Sequence, residues 1–295
     1  MTTKIFIEYI AGLGDALIDI AYFNKYLEEN PSHEIYIHCD NMLAEIFNNF
    51  CPKLKIAEIS DNNDFDPSVI DKKIKNSYDK HMIINGLLSW AFYVKPDITL
   101  WKQRGYSFFP NIEIIEDDIK IDSKVPVPTT IFEDFEHPVI FNASKPILEA
   151  QGKTLSKETW DNIINNFTNL TFVQIGSKYS DYEFNQDNVV DLRDRAITHV
   201  LSLIPFAKFL LGTDNVLNHA SKCFRKKGIF FWGSNDPNQY GYDQNINLYN
   251  PRECSPCLHN RAGSESYCCQ HPYIDTIKWH HIENSIEKLL KETIC

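Results

Sequence analysis

The feature that most constrains the fold is a repeated order of short apolar run, polar turn and helical segment. The first run, at residues 4–10, is almost entirely β-branched or aromatic, as in a buried parallel strand. A glycine turn follows at once, and apolar residues then recur at helical spacing until Pro31, which predicts a helix that begins at Asp15. Strands that feed directly into helices are typical of a parallel sheet with helices on its faces.

The same order recurs through the chain, so the sequence predicts an α/β protein with two Rossmann-like domains in tandem. The further strand-like runs are at 35–38, 54–59, 82–84, 139–141, 170–175, 207–211 and 228–232. The clearest helical patterns after the first are at 157–167, 198–206 and 277–293. A hinge is expected at 124–130, which contains two prolines. The predicted parts are an N-terminal domain over 1–130, a C-terminal domain over 131–275 and a closing helix over 276–295. Two such domains are expected to face each other across a cleft where ligands lie.

Composition and charge narrow the class of protein. The chain has 295 residues, of which 43% are hydrophobic and 23% charged, as in globular proteins that are soluble. Its net charge of −11 disfavours nonspecific binding to nucleic acid, and the basic run at 225–227 is more typical of a solvated surface. Charged residues interrupt the first apolar run, and no apolar run approaches a membrane span. We therefore expect a cytoplasmic protein without membrane insertion, with reduced thiols.

The first candidate site is the turn between the first strand and the first helix, Gly12, Leu13, Gly14 and Asp15. Glycines let the backbone approach a ligand closely, and a helix N-terminus favours an anion. A tight turn with Asp15 as a helix cap explains the same residues equally well. The third glycine of a dinucleotide fingerprint is absent, which argues against a dehydrogenase.

The second candidate site follows the run at 207–211. Thr213, Asp214 and Asn215 offer side-chain oxygens and backbone N–H groups at a helix start, which suits a ribose or a diphosphate. His219 lies one helical turn further on and could face the same ligand. Taken alone, the segment also fits a capped helix with a half-buried histidine. Both candidate sites lie where a strand passes into a helix, one in each predicted domain. Together they indicate a ligand site more strongly than either one does alone.

These turns resemble glycosyltransferase family nine, the heptosyltransferases that use ADP-heptose, including the autotransporter heptosyltransferases. The resemblance is carried by Gly-Leu-Gly-Asp at 12–15, Asp-x-x-x-x-His at 214–219 and Phe-Trp-Gly-Ser-Asn-Asp-Pro at 231–237. Gly-Lys-Thr-Leu at 152–155 is similar to a lysine-containing loop of the family. The match is good from about residue 141 to 257 and rests only on the alternating pattern between 39 and 130.

The resemblance implies a GT-B glycosyltransferase that moves a sugar from a nucleotide diphosphate to a hydroxyl of a glycan or protein, with inversion. It implies that Asp15 is the general base and that Lys153 neutralises the departing diphosphate. Asp214, Asn215 and His219 would hold the ribose, the phosphates or the sugar. The donor would be an ADP-sugar, a UDP-sugar or another nucleotide sugar, and the family needs no catalytic metal.

A third candidate site is the cysteine cluster Cys254, Cys257, Cys268 and Cys269. Two cysteines separated by two residues can present both sulfurs to one tetrahedral ion, whereas adjacent cysteines seldom both ligate. The autotransporter heptosyltransferases hold an iron ion with such a cluster, so the resemblance implies structural iron or zinc. Free thiols, or disulfides formed on oxidation, are the alternatives. Three other cysteines, at 39, 51 and 223, lie in apolar stretches and are expected in the core.

Two departures from the family pattern keep other functions open. Asn215 and Val216 stand where the family has Ser or Thr and then Gly, and the chain is short for the family. A catalytically inactive nucleotide-binding protein is one alternative. The other is a bacteriophage-type glycosyltransferase that modifies hydroxymethylated bases in DNA, although the acidic composition disfavours a DNA acceptor.

Overall fold

The computed structural model describes residues 2–60, 77–85, 99–121, 137–145, 152–251, 255, 274 and 276–292. The chain divides into two compact units, Met1–Val125 and Pro126–Cys295. The expected hinge and the predicted boundary after residue 130 lie outside the described residues. No helix in the described ranges is long and apolar enough to cross a membrane.

In the first unit, the described strands form one parallel sheet in the order β3-β2-β1-β4. These strands are β1 (Thr3–Ile10), β2 (His33–Asp40), β3 (Lys55–Ser60) and β4 (Lys80–Asn85). The helices are α1 (Leu13–Glu29), α2 (Asn41–Phe50) and α3 (Leu100–Phe108). The four predicted strands are confirmed, and the structure extends or shifts their ends by at most two residues. The chain passes from β1 to β2 and β3 on one side and then crosses to β4 on the other side of β1. The turn after β1 therefore lies at a point where the direction of strand order reverses.

The predicted start of the first helix is wrong by two residues. The helix begins at Leu13, with Gly12 in extended backbone as its N-cap (φ −73°, ψ 167°). Asp15 is therefore the third helical residue, and its carboxylate accepts a hydrogen bond from the Gly12 N–H at 3.3 Å. A carboxylate in the first turn stabilises a helix by satisfying its free N–H groups, which explains why the helix starts before the acid.

In the second unit, the described strands form a parallel sheet in the order β10-β9-β8-β5-β6-β7. The strands are β5 (Val139–Phe141), β6 (Phe172–Gln174), β7 (Val189–Asp191), β8 (Leu210–Thr213), β9 (Gly228–Trp232) and β10 (Ile246–Tyr249). The helices are α4 (Lys157–Asn166), α5 (Ile197–Leu203), α6 (Val216–Cys223), α7 (Pro237–Tyr240) and α8 (Trp279–Glu292). This strand order is that of a Rossmann sheet.

The sequence pattern did not predict β7 and β10. Both strands end the described sheet and are only partly buried, so they lack the continuous apolar run that marks the central strands. The predicted strand at 207–211 begins later, at Leu210, because Ile204–Phe206 form a 3₁₀ turn and residues 207–209 lead out of it.

The core of the second unit lies between the sheet and its helices. Trp160 of α4 is fully buried against the rings of Phe141 and Phe231, with ring centroids 5.5 and 6.0 Å apart. Ile282 and Ile286 of α8 belong to the same cluster. The predicted closing helix is therefore confirmed as a helix, and it packs into the core of this unit.

Candidate functional site

The strand order of the second unit brings one pair of turns together. Strands β5 and β8 are neighbours, but the chain continues from them toward opposite edges of the sheet. Asn142 follows β5, and Asp214 and Asn215 follow β8. The Asn215 side-chain amide donates to the Asn142 Oδ1 at 2.9 Å, which joins the two turns directly. Ligands of open α/β sheets bind beyond such a switch point.

Asp214 and Lys153, two residues that the resemblance assigned to donor binding, are in direct contact. The Lys153 Nζ lies 2.9 Å from the Asp214 Oδ2, and the same oxygen accepts a hydrogen bond from the Asn235 amide at 2.6 Å. Both contacts use the Oδ2 oxygen. The Lys153 side chain is 28% exposed and that of Asp214 8% exposed. The site thus presents an ammonium group and a carboxylate at the carboxyl end of the sheet.

A close backbone approach places Lys153 there. Gly152 has a left-handed backbone (φ 72°), and its carbonyl accepts a hydrogen bond from the Ser234 N–H at 3.0 Å. A Cβ on Gly233 would lie 2.1 Å from that carbonyl oxygen. Only glycine at 233 therefore lets the loop that carries Lys153 lie against the end of β9.

Asn215 caps the helix that follows the site. Its Oδ1 accepts a hydrogen bond from the Leu217 N–H at 2.9 Å, so it satisfies one of the free N–H groups of α6. Val216 is the first helical residue, and it does not belong to the described residues that have a positive φ. The valine that departs from the family pattern therefore introduces no left-handed backbone.

His219 is buried on α6, at 8% exposure. Its Nδ1 lies 2.9 Å from the Tyr242 hydroxyl, and the two rings meet edge to face. Thr213, the last residue of β8, is buried as well. Both side chains therefore lie inside the fold, on the strand and the helix that flank Asp214 and Asn215.

A second polar network fixes Asn142. Its amide donates to the Asp181 Oδ2 at 3.0 Å, and the Ser177 N–H donates to the same oxygen at 2.9 Å. Burial raises the pKa of Asp181, and the hydrogen bonds from Ser177 and from neighbouring serines oppose that rise. Gly176, with φ 122°, has no room for a Cβ because the Asp181 carboxylate would lie 1.8 Å away. The turn after β6 is thus tied to Asn142 and, through it, to Asn215.

The first unit has its own candidate site after β1. A Cβ on Gly12 would meet, among the described residues, only the Asp15 Oδ2 at 3.7 Å. Within the described part of the chain, neither the backbone conformation nor the packing at residue 12 requires a glycine. A glycine at such a position is expected where a ligand approaches the main chain. Leu13 and Gly14 form the first turn of α1 and are partly exposed. The Asp15 side chain is 21% exposed.

Arg104 joins Asp15 to a buried acid that the sequence analysis did not single out. The guanidinium lies 3.0 Å from the Asp15 Oδ1 through Nη1 and binds Asp19 through Nε and Nη2. Arg104 and Asp19 are both fully buried. An aspartate on the apolar face of α1 was the available signal, because a buried carboxylate needs a cationic partner. Arg104 itself could not be identified, since it lies 85 residues away from Asp19.

The predicted metal cluster, Cys254, Cys257, Cys268 and Cys269, lies outside the described residues. Within the described residues, no group of three or more His, Cys, Asp or Glu side chains is arranged to hold a metal ion. The three other cysteines assigned to the core, at 39, 51 and 223, are buried, as predicted.

Comparison with solved structures identifies the fold. The chain superimposes on a family nine glycosyltransferase from Veillonella parvula with a TM-score of 0.65, at 12% identity, over 98% of this chain and 97% of that one. It is also similar to TibC, an iron-containing dodecameric glycosyltransferase from enterotoxigenic E. coli (TM-score 0.66, 14% identity, 99% of this chain and 78% of that one).

A third similar structure is the ADP-heptose lipopolysaccharide heptosyltransferase II of E. coli (TM-score 0.64, 13% identity, 99% of this chain and 100% of that one). No protein-family model matches the sequence, and no curated protein matches it either. At these identities the likeness establishes the fold. The predicted resemblance to family nine and the predicted Rossmann-like units are thus confirmed at the level of the fold.

Proposed function

We propose that the chain is a glycosyltransferase that moves a sugar from a nucleotide diphosphate to an acceptor hydroxyl. The observation that carries the proposal is the contact of Lys153 with Asp214 at the switch point between β5 and β8. A cation there can meet a diphosphate, while a carboxylate and two amides can meet hydroxyl groups. The structural neighbours include heptosyltransferases solved with ADP and with ADP-heptose, so an ADP-sugar is the first donor to test.

The proposed reaction breaks the bond between the anomeric carbon of the sugar and the diphosphate oxygen. The acceptor oxygen forms the new bond to that carbon with inversion, while its proton passes to the Asp15 carboxylate. The nucleoside diphosphate leaves with the bonding electrons, and Lys153 stabilises the charge that develops on it. Asp15 suits the role of base because its carboxylate lies at a helix N-terminus beside Arg104 and is still partly exposed.

The residues around Lys153 and Asp214 are proposed to set the shape of the donor site. Asn215 and Asn142 offer amide groups, and Asp214 offers its Oδ1 to a hydroxyl. His219 and Thr213 are buried beneath them and are proposed to act mainly by holding α6 and the end of β8 in place. The backbone of Gly12, Leu13 and Gly14 is proposed to lie close to the bound substrate.

The metal prediction is independent of this chemistry. TibC is described as containing iron, and the cysteine cluster at 254–269 remains the predicted site of a structural iron or zinc ion in this chain. Elemental analysis of the purified protein tests it. A ratio near one metal ion per chain that falls when Cys254 and Cys257 are both changed to Ser supports the site, and a metal-free native protein contradicts it.

A panel of ADP-, UDP-, GDP- and CDP-sugars in a thermal-shift assay tests the donor class. A ligand that binds only the folded chain stabilises it by mass action, by about 2.7 kcal/mol at 100 times its Kd. We expect one nucleotide to raise the Tm clearly more than the others, and Lys153→Gln to remove most of that rise. Equal and negligible shifts for every nucleotide sugar would contradict donor binding.

Turnover separates the enzyme from its alternatives. Release of nucleoside diphosphate in the presence of a glycan or protein acceptor supports the proposed transferase. Transfer to duplex DNA with hydroxymethylated bases would support the bacteriophage-type alternative, against which the net charge of −11 argues. Binding without turnover across the panel would support a catalytically inactive nucleotide-binding protein.

A further inference from the structure

Arg104 lies between two carboxylates of α1, and the function proposed above uses only one of them. Asp15 and Asp19 are four residues apart and therefore lie on the same face of the helix, where like charges repel. From α3, the Arg104 Nε donates to the Asp19 Oδ1 at 2.6 Å, and Nη2 binds the other oxygen of Asp19. Its Nη1 lies 3.0 Å from the Asp15 Oδ1. One guanidinium thus holds both acids together.

The two acids differ in exposure, which gives them different roles. Asp19 is fully buried and also accepts a hydrogen bond from the Tyr9 hydroxyl of β1 at 2.8 Å, whereas the Asp15 side chain is 21% exposed. Burial raises the pKa of Asp19, and the guanidinium opposes that rise. Asp19 is therefore the acid that anchors Arg104, and Asp15 is the acid that solvent and substrate can reach.

Arg104 acts on Asp15 through charge and orientation alone. Although burial lowers the pKa of Arg104, the carboxylates of Asp19 and Asp15 raise it above its usual value, so the guanidinium stays charged and transfers no proton. Its Nη1 forms an ion pair with the Asp15 Oδ1 at 3.0 Å without a hydrogen bond, while the Gly12 N–H donates to the Oδ2 at 3.3 Å. A cation therefore lies beside one oxygen of the carboxylate, and a hydrogen-bond donor lies at the other.

We propose that Arg104 is the positioning residue of the general base, with Asp19 and Tyr9 as its buried support. This inference rests on the proposed function of Asp15. The ion pair with Arg104 holds the Asp15 carboxylate in one orientation, ready for the proton of the acceptor hydroxyl. In the part of the chain that the structure describes, Arg104, Asp19 and Tyr9 interact electrostatically with Asp15 from α3, α1 and β1.

Arg104→Lys tests the proposal because lysine keeps the charge but cannot span two carboxylates with one ammonium group. We expect kcat to fall at least about tenfold, because the base loses its orientation. The KM for the nucleotide sugar should change less than about twofold, since the proposed donor contacts belong to the second unit.

Tyr22→Phe is the matched control. The Tyr22 hydroxyl donates to the Trp101 carbonyl at 2.7 Å, which is another buried contact between α1 and α3, and it does not involve Arg104. This variant should loosen the same helix pair while leaving kcat within about twofold of the wild type. Equal losses in both variants would show that Arg104 is merely structural and would overturn the proposal.

A double-mutant cycle with Arg104→Lys and Asp15→Asn supplies a readout besides activity. Urea unfolding of the single and double variants should give non-additive effects, because the two residues are in contact. Additive effects would overturn the contact on which the proposal rests. An unchanged kcat in Arg104→Lys, with normal wild-type turnover, would overturn the positioning role alone. Coupling without wild-type turnover on any donor would instead overturn the proposed function and, with it, the positioning role.

Discussion

Gly233→Ala is the substitution whose effect the structure specifies most closely. A Cβ at this position would lie 2.1 Å from the Gly152 carbonyl oxygen and 2.9 Å from the Ile274 Cγ1. Ordinary contact begins at 3.4 Å, so the backbone at Gly152 must retreat by about 1 Å or more. Forcing extra atoms into a packed site costs about 1–3 kcal/mol, and we expect a loss of folding free energy in that range.

The displacement should also weaken donor binding, because Lys153 is the next residue along the chain. Its Nζ is 2.9 Å from the Asp214 Oδ2, and a shift of about 1 Å is enough to break such a contact. We expect the affinity for the best nucleotide sugar to fall by about tenfold, equivalent to about 1.4 kcal/mol. Urea unfolding and calorimetric titration measure the two effects separately.

Gly12→Ala is the control for this prediction. Gly12 has an extended backbone with φ −73°, and an added Cβ would meet only the Asp15 Oδ2, at 3.7 Å, within the described part of the chain. The folding free energy of this variant should fall by only about 0.5 kcal/mol, because alanine is a poorer helix N-cap than glycine but meets no close contact here. The reasoning is refuted if Gly233→Ala matches the wild type in both stability and donor affinity, or if both alanine variants lose the same stability.

Three further predictions follow from the described contacts. Lys153→Gln should weaken donor binding by about 10- to 100-fold, because a charge-assisted hydrogen bond to a phosphate contributes about 1.5–3 kcal/mol. Its free energy of unfolding in urea should fall by less than about 1 kcal/mol, because the ion pair with Asp214 is partly exposed. Trp160→Ala should cost about 3–5 kcal/mol in the same unfolding assay, because it empties a fully buried aromatic site between Phe141 and Phe231; a loss below about 1 kcal/mol would contradict this packing. Burial raises the pKa of the Cys39, Cys51 and Cys223 thiols to about 12, so these thiols should not react with a disulfide reagent near neutral pH until the chain unfolds. The stability that comes from keeping them protonated is complete below the ordinary thiol pKa of 9.0. It is lost as the pH rises toward about 12.

The sequence predicted the parts of the fold that local pattern determines. Strand β1 is a run of apolar residues followed by glycine and a helical pattern, and the structure places a strand and a helix there. Strands β7 and β10 were not predicted because they are short and half-buried, so their burial depends on neighbours that local pattern does not identify.

The candidate site was predicted residue by residue but not as a set of contacts. Lys153 and Asp214 were each singled out from a turn, and the order of β5, β8 and β9 brings them together. Asn142 was not singled out, although it follows a strand in the same way as Asp214. The partner of Asp15 could not be predicted, because Arg104 reaches it from a helix that is distant in sequence.

The most direct measurement of the central claim is the rate at which the wild type and Asp15→Ala release nucleoside diphosphate from the best nucleotide sugar. We expect the wild type to turn over in the presence of an acceptor, and Asp15→Ala to be slower by about 100-fold or more, since a general base contributes about 10²–10⁴. Donor affinity should be nearly unchanged, because the proposed donor contacts are made by Lys153 and Asp214. Full turnover in Asp15→Ala, or no release by the wild type from any nucleotide sugar, would contradict the account.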